Sequence, residues 1–117
     1  MTGHDASVAR QAYIAILLNS SSSEAPGHQP LWQEETVLIH AVDEHEARRR
    51  AQRRGESGRT DFANAAGEVI RWRFEGVIDV AEVLESDLSG DADLYCRHFR
   101  NIEAYRAFEP LISGETL

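Results

Sequence analysis

The chain has 117 residues, of which 42% are hydrophobic and 27% are charged, and its formal net charge is -8. This length suits one domain with a real core, and the composition is ordinary for a soluble globular protein. The negative charge excludes general nucleic-acid binding, because most of the surface repels a polyanion, and it favours a cationic partner or a basic patch on another protein.

Redox and targeting features favour the cytoplasm. Cys96 is the only cysteine, which excludes an intrachain disulfide. No apolar run approaches the roughly 20 residues that a membrane-spanning helix needs. The apolar run 12–18 lacks a basic lead-in and a small-residue cleavage site, so we do not interpret it as a signal peptide. We therefore expect a cytoplasmic protein without membrane association.

Two strands are predicted in the first third of the chain. After a polar segment 1–11 that we expect to be flexible, "AYIAILLN" is a short apolar run of the kind found in buried strands. The stretch from Ser20 to Pro30 collects serine, proline and glycine, which predicts a flexible loop. "LWQEETVLIHAV" then predicts a second strand, most clearly over the β-branched and apolar residues 37–42.

A helix is predicted in "DEHEARRRAQRRG". Asp43 is a good N-cap, and Glu46 three positions later completes an aspartate version of the capping box. The acidic first turn and the arginines of the later turns both match the helix dipole, and Gly55 is the predicted C′ residue. Two i,i+4 ion pairs in the favoured direction add support, namely Glu44–Arg48 and Glu46–Arg50.

The stretch "GEVIRWRFEGVIDV" alternates with a period of two and predicts a long strand. Its even positions are apolar and should face the helix and the core, namely Ile70, Trp72, Phe74, Ile78 and Val80. Its odd positions carry Arg71, Arg73, Glu75 and Asp79, which should lie on the open face of the sheet. Gly76 predicts a bulge or bend in this strand. A short strand at 60–62 and a tight turn from Asn64 to Gly67 lead into it.

The last third predicts one more strand and a short helix. After an acidic loop at 85–93, "LYCRHFRN" alternates again, with Tyr95, Arg97 and Phe99 on one side. Residues 103–109 are expected to form a helix, capped by Asn101 and stopped by Pro110. The tail 113–117 should fray.

These elements predict an α+β fold for a single domain at 12–112. We expect a mainly antiparallel sheet of about four to five strands, because short turns join successive strands. One main helix should pack on one face of this sheet, and a short helix should follow at the C-terminal end.

Four stretches together resemble the bacterial domain of unknown function 4288 family over roughly residues 12–108: "YIAILL", "EETVLIHAVDEHEARRRA", "NAAGEVIRWRFEGVIDVAEV" and "YCRHFRN". The most specific parts are the Asn–x–x–Gly turn before the strand with Trp72 and Phe74, and the join from the Glu-Glu strand to the helix. The resemblance implies a small bacterial cytosolic domain. The family's function is uncharacterised, so the resemblance transfers no catalytic residue.

The arginine run from Arg48 to Arg54 is one candidate site. Its guanidinium groups create a local positive field that suits phosphate or RNA, with Arg49, Arg50 and Arg53 as the alternative anion site. We favour a solvated helix whose charges match its dipole, because acidic residues neutralise one end and no aromatic residues are interleaved.

Metal and nucleophile chemistry find weaker support. His40 and His45 are five residues apart, which is not a helical metal-ligand spacing, and the acidic loop lacks the EF-hand pattern. We predict no metal site and no cofactor. Cys96 and His98 share a side of the predicted strand at roughly 6–7 Å. A buried structural cysteine is favoured over a catalytic one, since no oxyanion-type glycine loop lies nearby.

The open face of the sheet is the main candidate for binding. Arg71, Arg73 and Glu75 lie on it, together with Tyr95 and Arg97 of a neighbouring strand. Such rows can be mere cross-strand salt bridges. The alternative is a contact surface, because arginine and aromatic residues concentrate in interface hot spots.

We therefore expect a small acidic protein-binding module that is not an enzyme. It would dock on a protein partner or on itself, as a homodimer, through the open face or an edge strand. An immunity-type protein and a subunit of a larger bacterial complex both fit. The alternative is a small-molecule-binding protein or small enzyme, with a cleft between the sheet and the loop from Ser20 to Pro30. Its polar contacts would be Arg71, Arg73 and His98.

Overall fold

Three long strands form the body of an antiparallel sheet. The computed structural model describes residues 9–58, 60–63 and 65–109. The central strand β1 (Gln11–Ser22) lies between β2 (Trp32–Ala41) and β4 (Val69–Glu82), and the short β3 (Thr60–Ala63) pairs with the other side of β4. Two helices occur in these ranges, α1 (Glu44–Ser57) and α2 (Ile102–Phe108).

The predicted α+β class, the antiparallel pairing and both helices are confirmed. The predicted count of four to five strands is not confirmed. Three strands are long, β3 adds only four residues, and the strand expected over "LYCRHFRN" is absent. Most of the predicted flexible N-terminal segment and the frayed tail lie outside the described residues, as does Asn64 of the predicted turn. Gly67 of that turn has a φ of 81°, which suits glycine.

The core lies between the sheet and α1. Alternate residues of β1 turn Tyr13, Ala15 and Leu17 towards the helix, where they meet side chains of β2 and β4. From α1 only Ala47 and Ala51 enter this cluster, and both are fully buried. Because alanine is small, the helix axis can lie close to the sheet.

The two ends of α1 differ in how well the sequence predicts them. Asp43 is the N-cap, and its carboxylate accepts from the backbone N–H of Glu46 at 2.8 Å, as predicted. The Glu46 carboxylate accepts from the N–H of Val42 at 2.9 Å rather than from that of the cap residue. Of the predicted ion pairs, Glu44–Arg48 forms at 3.5 Å, whereas Glu46 lies 3.9 Å from Arg10.

The prediction that Gly55 ends α1 is wrong. The helix continues to Ser57, and Gly58 is the C-cap, with its N–H donating to the Gly55 carbonyl at 3.2 Å. Gly55 is buried inside the helix, where a Cβ atom would lie within 3.0 Å of three ring atoms of Phe74. Glycine is therefore needed here for close approach of the helix to β4 and not for a left-handed turn.

The predicted bulge in β4 is present. The β1–β4 register shifts on both sides of two successive pairs, Leu17 with Val77 and Leu18 with Gly76. Trp72, Phe74 and Val80 lie on the helix side, as predicted, and Arg71 and Arg73 lie on the opposite side. The register shifts put Val77 on the helix side, so Ile78 is 39% exposed instead of buried.

The serine tract is part of β1, which corrects the prediction of a loop beginning at Ser20. Ser20 and Ser21 are only 6% and 4% exposed. The Ser20 hydroxyl donates to Glu75 at 2.5 Å, and that of Ser21 accepts from the backbone N–H of Leu31 at 2.8 Å. Because each hydroxyl has a partner, these residues can be buried in a strand, and the loop narrows to residues 23–31.

Between β4 and residue 109, the last residue that the structure describes, the chain forms no further strand. Residues 94–109, here called the arm, run without ladder pairing into α2. Asn101 caps this helix as predicted, accepting from the N–H of Ala104 at 3.1 Å. Within the described chain, α2 makes no close backbone contact with a strand or with α1. No helix in the described ranges has the length and apolar character to cross a membrane.

Candidate functional site

The face of the sheet that points away from α1, here called the distal face, has its own apolar cluster. Ile14, Ile16 and Val83 form it, and the Tyr95 ring packs against them. The Tyr95 hydroxyl donates to the Asp79 carboxylate in a short hydrogen bond. This contact holds the beginning of the arm across the face. It gives a physical reason why the predicted strand at 94–101 is absent, since Tyr95 buries its ring on the face instead of pairing along an edge.

Arg71, Arg73 and Glu75 of β4 lie on the distal face as expected. Arg71 pairs across strands with Asp61 at 3.9 Å, and Arg73 pairs within β4 with Glu75 at 3.5 Å. Exposed pairs of this kind stabilise a fold by at most about 1 kcal/mol. The arginines are therefore paired with acidic neighbours and still accessible to a partner.

The five predicted contact residues form two groups. Arg71, Arg73 and Glu75 lie together on β4, whereas Arg97 lies near Glu34 of β2, on the far side of the central strand. Tyr95 lies between the groups, over the apolar cluster. The distal face thus carries a charged group at β4 and a second polar group beside the arm.

A groove between the arm and β2 was not predicted from the sequence. Its volume is about 560 Å³, and we call it the arm groove; its lining residues are Glu34, Arg97, Phe99, Asn101, Ala104, Tyr105, Phe108 and Glu109. The Phe99 and Tyr105 rings lie 4.8 Å apart between centroids, tilted by 38°. Phe99 is 57% exposed and Phe108 is 67% exposed. A sequence signal existed, because Tyr105 and Phe108 are spaced i,i+3 and share one side of a helix.

Cys96 and His98 do come together, although not on a strand. The Cys96 Sγ lies 3.8 Å from the His98 Nε2. The expected burial of the cysteine is wrong, because Cys96 is exposed. Cys96 lies outside the helices and strands, and Tyr95 is the residue that packs against the apolar cluster.

The arginine run lies on the solvent side of α1. His45, Arg48, Arg49, Gln52 and Arg53 line a shallow groove of about 510 Å³. The groove includes Arg49 and Arg53 of the alternative anion site but not Arg50. Arg48 is engaged by Glu44. This arrangement agrees with a solvated helix whose charges match its dipole.

Two further clefts open at the edges of the fold. The cleft expected beside the loop is lined by residues 23–26 together with Glu68, Val69 and Arg71, and measures about 270 Å³. Arg73 and His98 do not line it. A cleft of about 330 Å³ at the end of α1 was missed, with Trp72 and Phe74 beside polar groups such as Glu35. Among the described residues no group of three potential metal ligands occurs.

Burial against the distal cluster and the bond to Asp79 raise the pKa of the Tyr95 phenol above 10.0. The folded state therefore favours the neutral phenol. We expect this part of the stability to be complete below pH 10.0 and to be lost as the pH rises through the higher pKa of the folded state. The free energy of unfolding, measured by urea denaturation at increasing alkaline pH, should decline less for Tyr95→Phe than for the original chain.

Burial also raises the pKa of Tyr13, so Tyr95→Phe should remove only part of the decline. Asp79→Asn should reduce the decline in the same direction. An unchanged alkaline decline in Tyr95→Phe would contradict this account of the contact.

The chain is a small α+β protein in which one helix covers one face of an antiparallel sheet and the beginning of the arm packs on the other face. The family model Domain of unknown function (DUF4288) matches residues 12–96, and the chain belongs to this family. The matched part includes the sheet, α1 and Tyr95, whereas Phe99, Tyr105 and Phe108 of the arm groove follow it. No curated protein and no solved structure matches the chain.

Proposed function

We propose that this protein is a protein-binding module that docks on a partner through the distal face and the arm groove. The observation that carries the proposal is the exposure of Phe99 and Phe108 beside Arg97 in one groove. Aromatic and arginine side chains are enriched in interface hot spots. A contiguous exposed apolar patch is also a common mark of an interaction site.

The groove and the net charge suggest the chemistry of the partner. Phe99, Tyr105 and Phe108 offer an apolar seat for a side chain of the partner. Glu34 and Glu109 line the same groove together with Arg97, and the whole chain carries a charge of -8. A protein surface with an apolar anchor surrounded by basic residues fits best, because long-range attraction favours opposite charge. An immunity-type protein and a subunit of a larger complex both fit this description.

The cleft beside the loop and the cleft at the end of α1 give less support to an enzyme or a small-molecule carrier. The cleft beside the loop is smaller than the roughly 300–1,000 Å³ typical of ligand pockets, and the cleft at the end of α1 is at the lower limit. Arg71 in the first cleft is engaged by Asp61. The arm groove, by contrast, leaves its aromatic rings open.

The proposal is tested with a double variant, Phe99→Ala with Phe108→Ala. The partner is first isolated from native cells with the tagged original chain, and its dissociation constant is then measured by calorimetry. We expect the double variant to weaken binding at least about tenfold, because truncated hot-spot residues each cost more than about 1 kcal/mol. Leu88→Ala is the control, since Leu88 is 45% exposed but lies outside the groove.

A second variant, Arg71→Glu with Arg73→Glu, separates the two classes of function. Loss of partner binding in this variant, with the thermal stability of the variant unchanged, supports docking through the distal face. Equal affinity of the partner for both double variants and the original chain would refute the proposed site. Loss of thermal stabilisation by a small molecule, with partner binding intact, would instead favour the ligand-binding alternative.

A further inference from the structure

The outer side of β2 is an open edge of the sheet. Among the described strands only β1 pairs with β2, and their register runs without a bulge over ten residue pairs. β2 contains no proline and no lysine. The opposite edge is formed by β3, which has only four residues. Natural proteins shorten, bulge or cover long edges, because unpaired N–H and C=O groups attract another strand.

The backbone geometry shows which groups of β2 point outward. The N–H of Ser21 donates to the Leu31 carbonyl at 2.8 Å, while the Leu31 N–H donates to the Ser21 hydroxyl, so these residues occupy the position of a hydrogen-bonded pair in continuation of the β1–β2 register. Hydrogen-bonded pairs alternate along an antiparallel ladder, so the odd residues of β2 face β1 and the even residues face the open edge. The Arg10 side chain reaches the His40 carbonyl at 3.5 Å, in agreement with this assignment.

We propose that the β2 edge pairs antiparallel with the β2 edge of a second copy of this chain. With Val37 at the two-fold axis, Glu34 lies opposite His40 of the second copy and Thr36 lies opposite its Leu38. All of these are even residues, so their outward N–H and C=O groups meet in hydrogen-bonded pairs. The ladder joins two sheets into one through the outward main-chain groups of β2. The His40 carbonyl, which accepts from Arg10 in the single chain, would take its ladder donor on its second lone pair or exchange Arg10 for it.

Charge complementarity selects both the occupant and the register. The first half of β2 carries Glu34 and Glu35, whereas its other end carries His40 with Arg10 beside it. A two-fold axis at Val37 brings Glu34 of each copy opposite His40 of the other, beside the positive charge of Arg10. An axis at Glu34 would instead oppose like charges, which destabilises cross-strand pairs. The strand is therefore complementary to itself in the antiparallel direction.

The symmetry fixes where the distal faces lie in the dimer. Antiparallel strands in one sheet are related by a two-fold axis perpendicular to that sheet, and residues directly opposite each other share a face. Both α1 helices therefore lie on one side, and both distal faces lie on the other. The pairing does not rest on the proposed docking function, but it would present two copies of the docking surface on the same side.

The experiment measures the mass of the particle by sedimentation velocity and light scattering over a range of protein concentrations. We expect a dimer for the original chain. His40→Glu should raise the dissociation constant of the dimer about tenfold, because it places a carboxylate opposite Glu34 at both symmetry-related positions. Combining His40→Glu with Glu34→Arg should restore the dimer, because the opposite charges then meet in reversed order. Circular dichroism checks that each variant is folded.

Two controls separate the edge from other surfaces. Arg49→Glu reverses a charge on the outer side of α1 and should leave the dimer unchanged. Thr36→Pro removes an outward N–H without removing a β1–β2 hydrogen bond and should abolish the dimer. The proposal is overturned if the original chain is a monomer throughout, or if the double charge variant dissociates as much as His40→Glu. Phe99→Ala with Phe108→Ala should retain the dimer, so failure of the docking site remains distinguishable.

Discussion

Replacing Leu17 by alanine is expected to lower the free energy of unfolding by about 2–5 kcal/mol. Leu17 is 1% exposed and lies in the middle of β1, within the cluster between the sheet and α1. Its large side chain fills space that the small Ala47 and Ala51 of the helix cannot fill. Truncation therefore removes apolar contacts and leaves a cavity that the paired strands on either side of β1 cannot close.

Chemical denaturation followed by circular dichroism measures this loss. Leu88→Ala is the control with the same chemical change, and because Leu88 is 45% exposed we expect a cost below about 1 kcal/mol. A loss for Leu17→Ala as small as that for Leu88→Ala would show that the helix face of β1 is not the core of the fold.

Replacing Gly55 by alanine is the second large effect, and its sign opposes helix propensity. Alanine inside an exposed helix is more favourable than glycine by about 1 kcal/mol. At Gly55, however, the added Cβ would lie within 3.0 Å of the Phe74 ring. Overpacking of this kind costs about 1–3 kcal/mol or more, so we expect a net loss of stability with the helix pushed away from β4.

A double-mutant cycle assigns this loss to the Gly55–Phe74 contact. In a Phe74→Leu background the smaller side chain gives room, so Gly55→Ala should cost less than in the original chain. Glu56→Ala, at an exposed helix position, is the control for helix propensity. A stabilising effect of Gly55→Ala in the original chain would contradict the observed closeness of α1 and β4.

The proposed docking and self-pairing surfaces are different parts of one sheet. The arm groove uses side chains beside the distal face, whereas the β2 edge uses outward main-chain groups. Glu34 belongs to both, since it lines the arm groove and lies in the edge strand. For this reason the docking site is tested with Phe99 and Phe108, and the edge is tested with charge rescue at Glu34 and His40.

The sequence determines the local features of this fold. The period of two from Ile70 to Phe74 places aromatic and arginine side chains on opposite faces, and Asp43 with Glu46 fixes the start of α1. These features depend on neighbours within a few residues, so local physical rules suffice to predict them. The placement of Arg71, Arg73 and Glu75 on the distal face follows from the same alternation.

Only the tertiary structure decides features that depend on distant partners. From the sequence Ser20 is typical of a loop, but in the structure its hydroxyl donates a hydrogen bond to Glu75. Gly55 is typical of a helix end, but in the structure the Phe74 ring lies against it. Tyr95 lies in a segment of alternating polarity that predicts a strand. In the structure its ring packs against the cluster of Ile14 and Ile16, and the segment forms no strand. In each case a contact between residues far apart in the chain outweighs a local preference of about 1 kcal/mol or less.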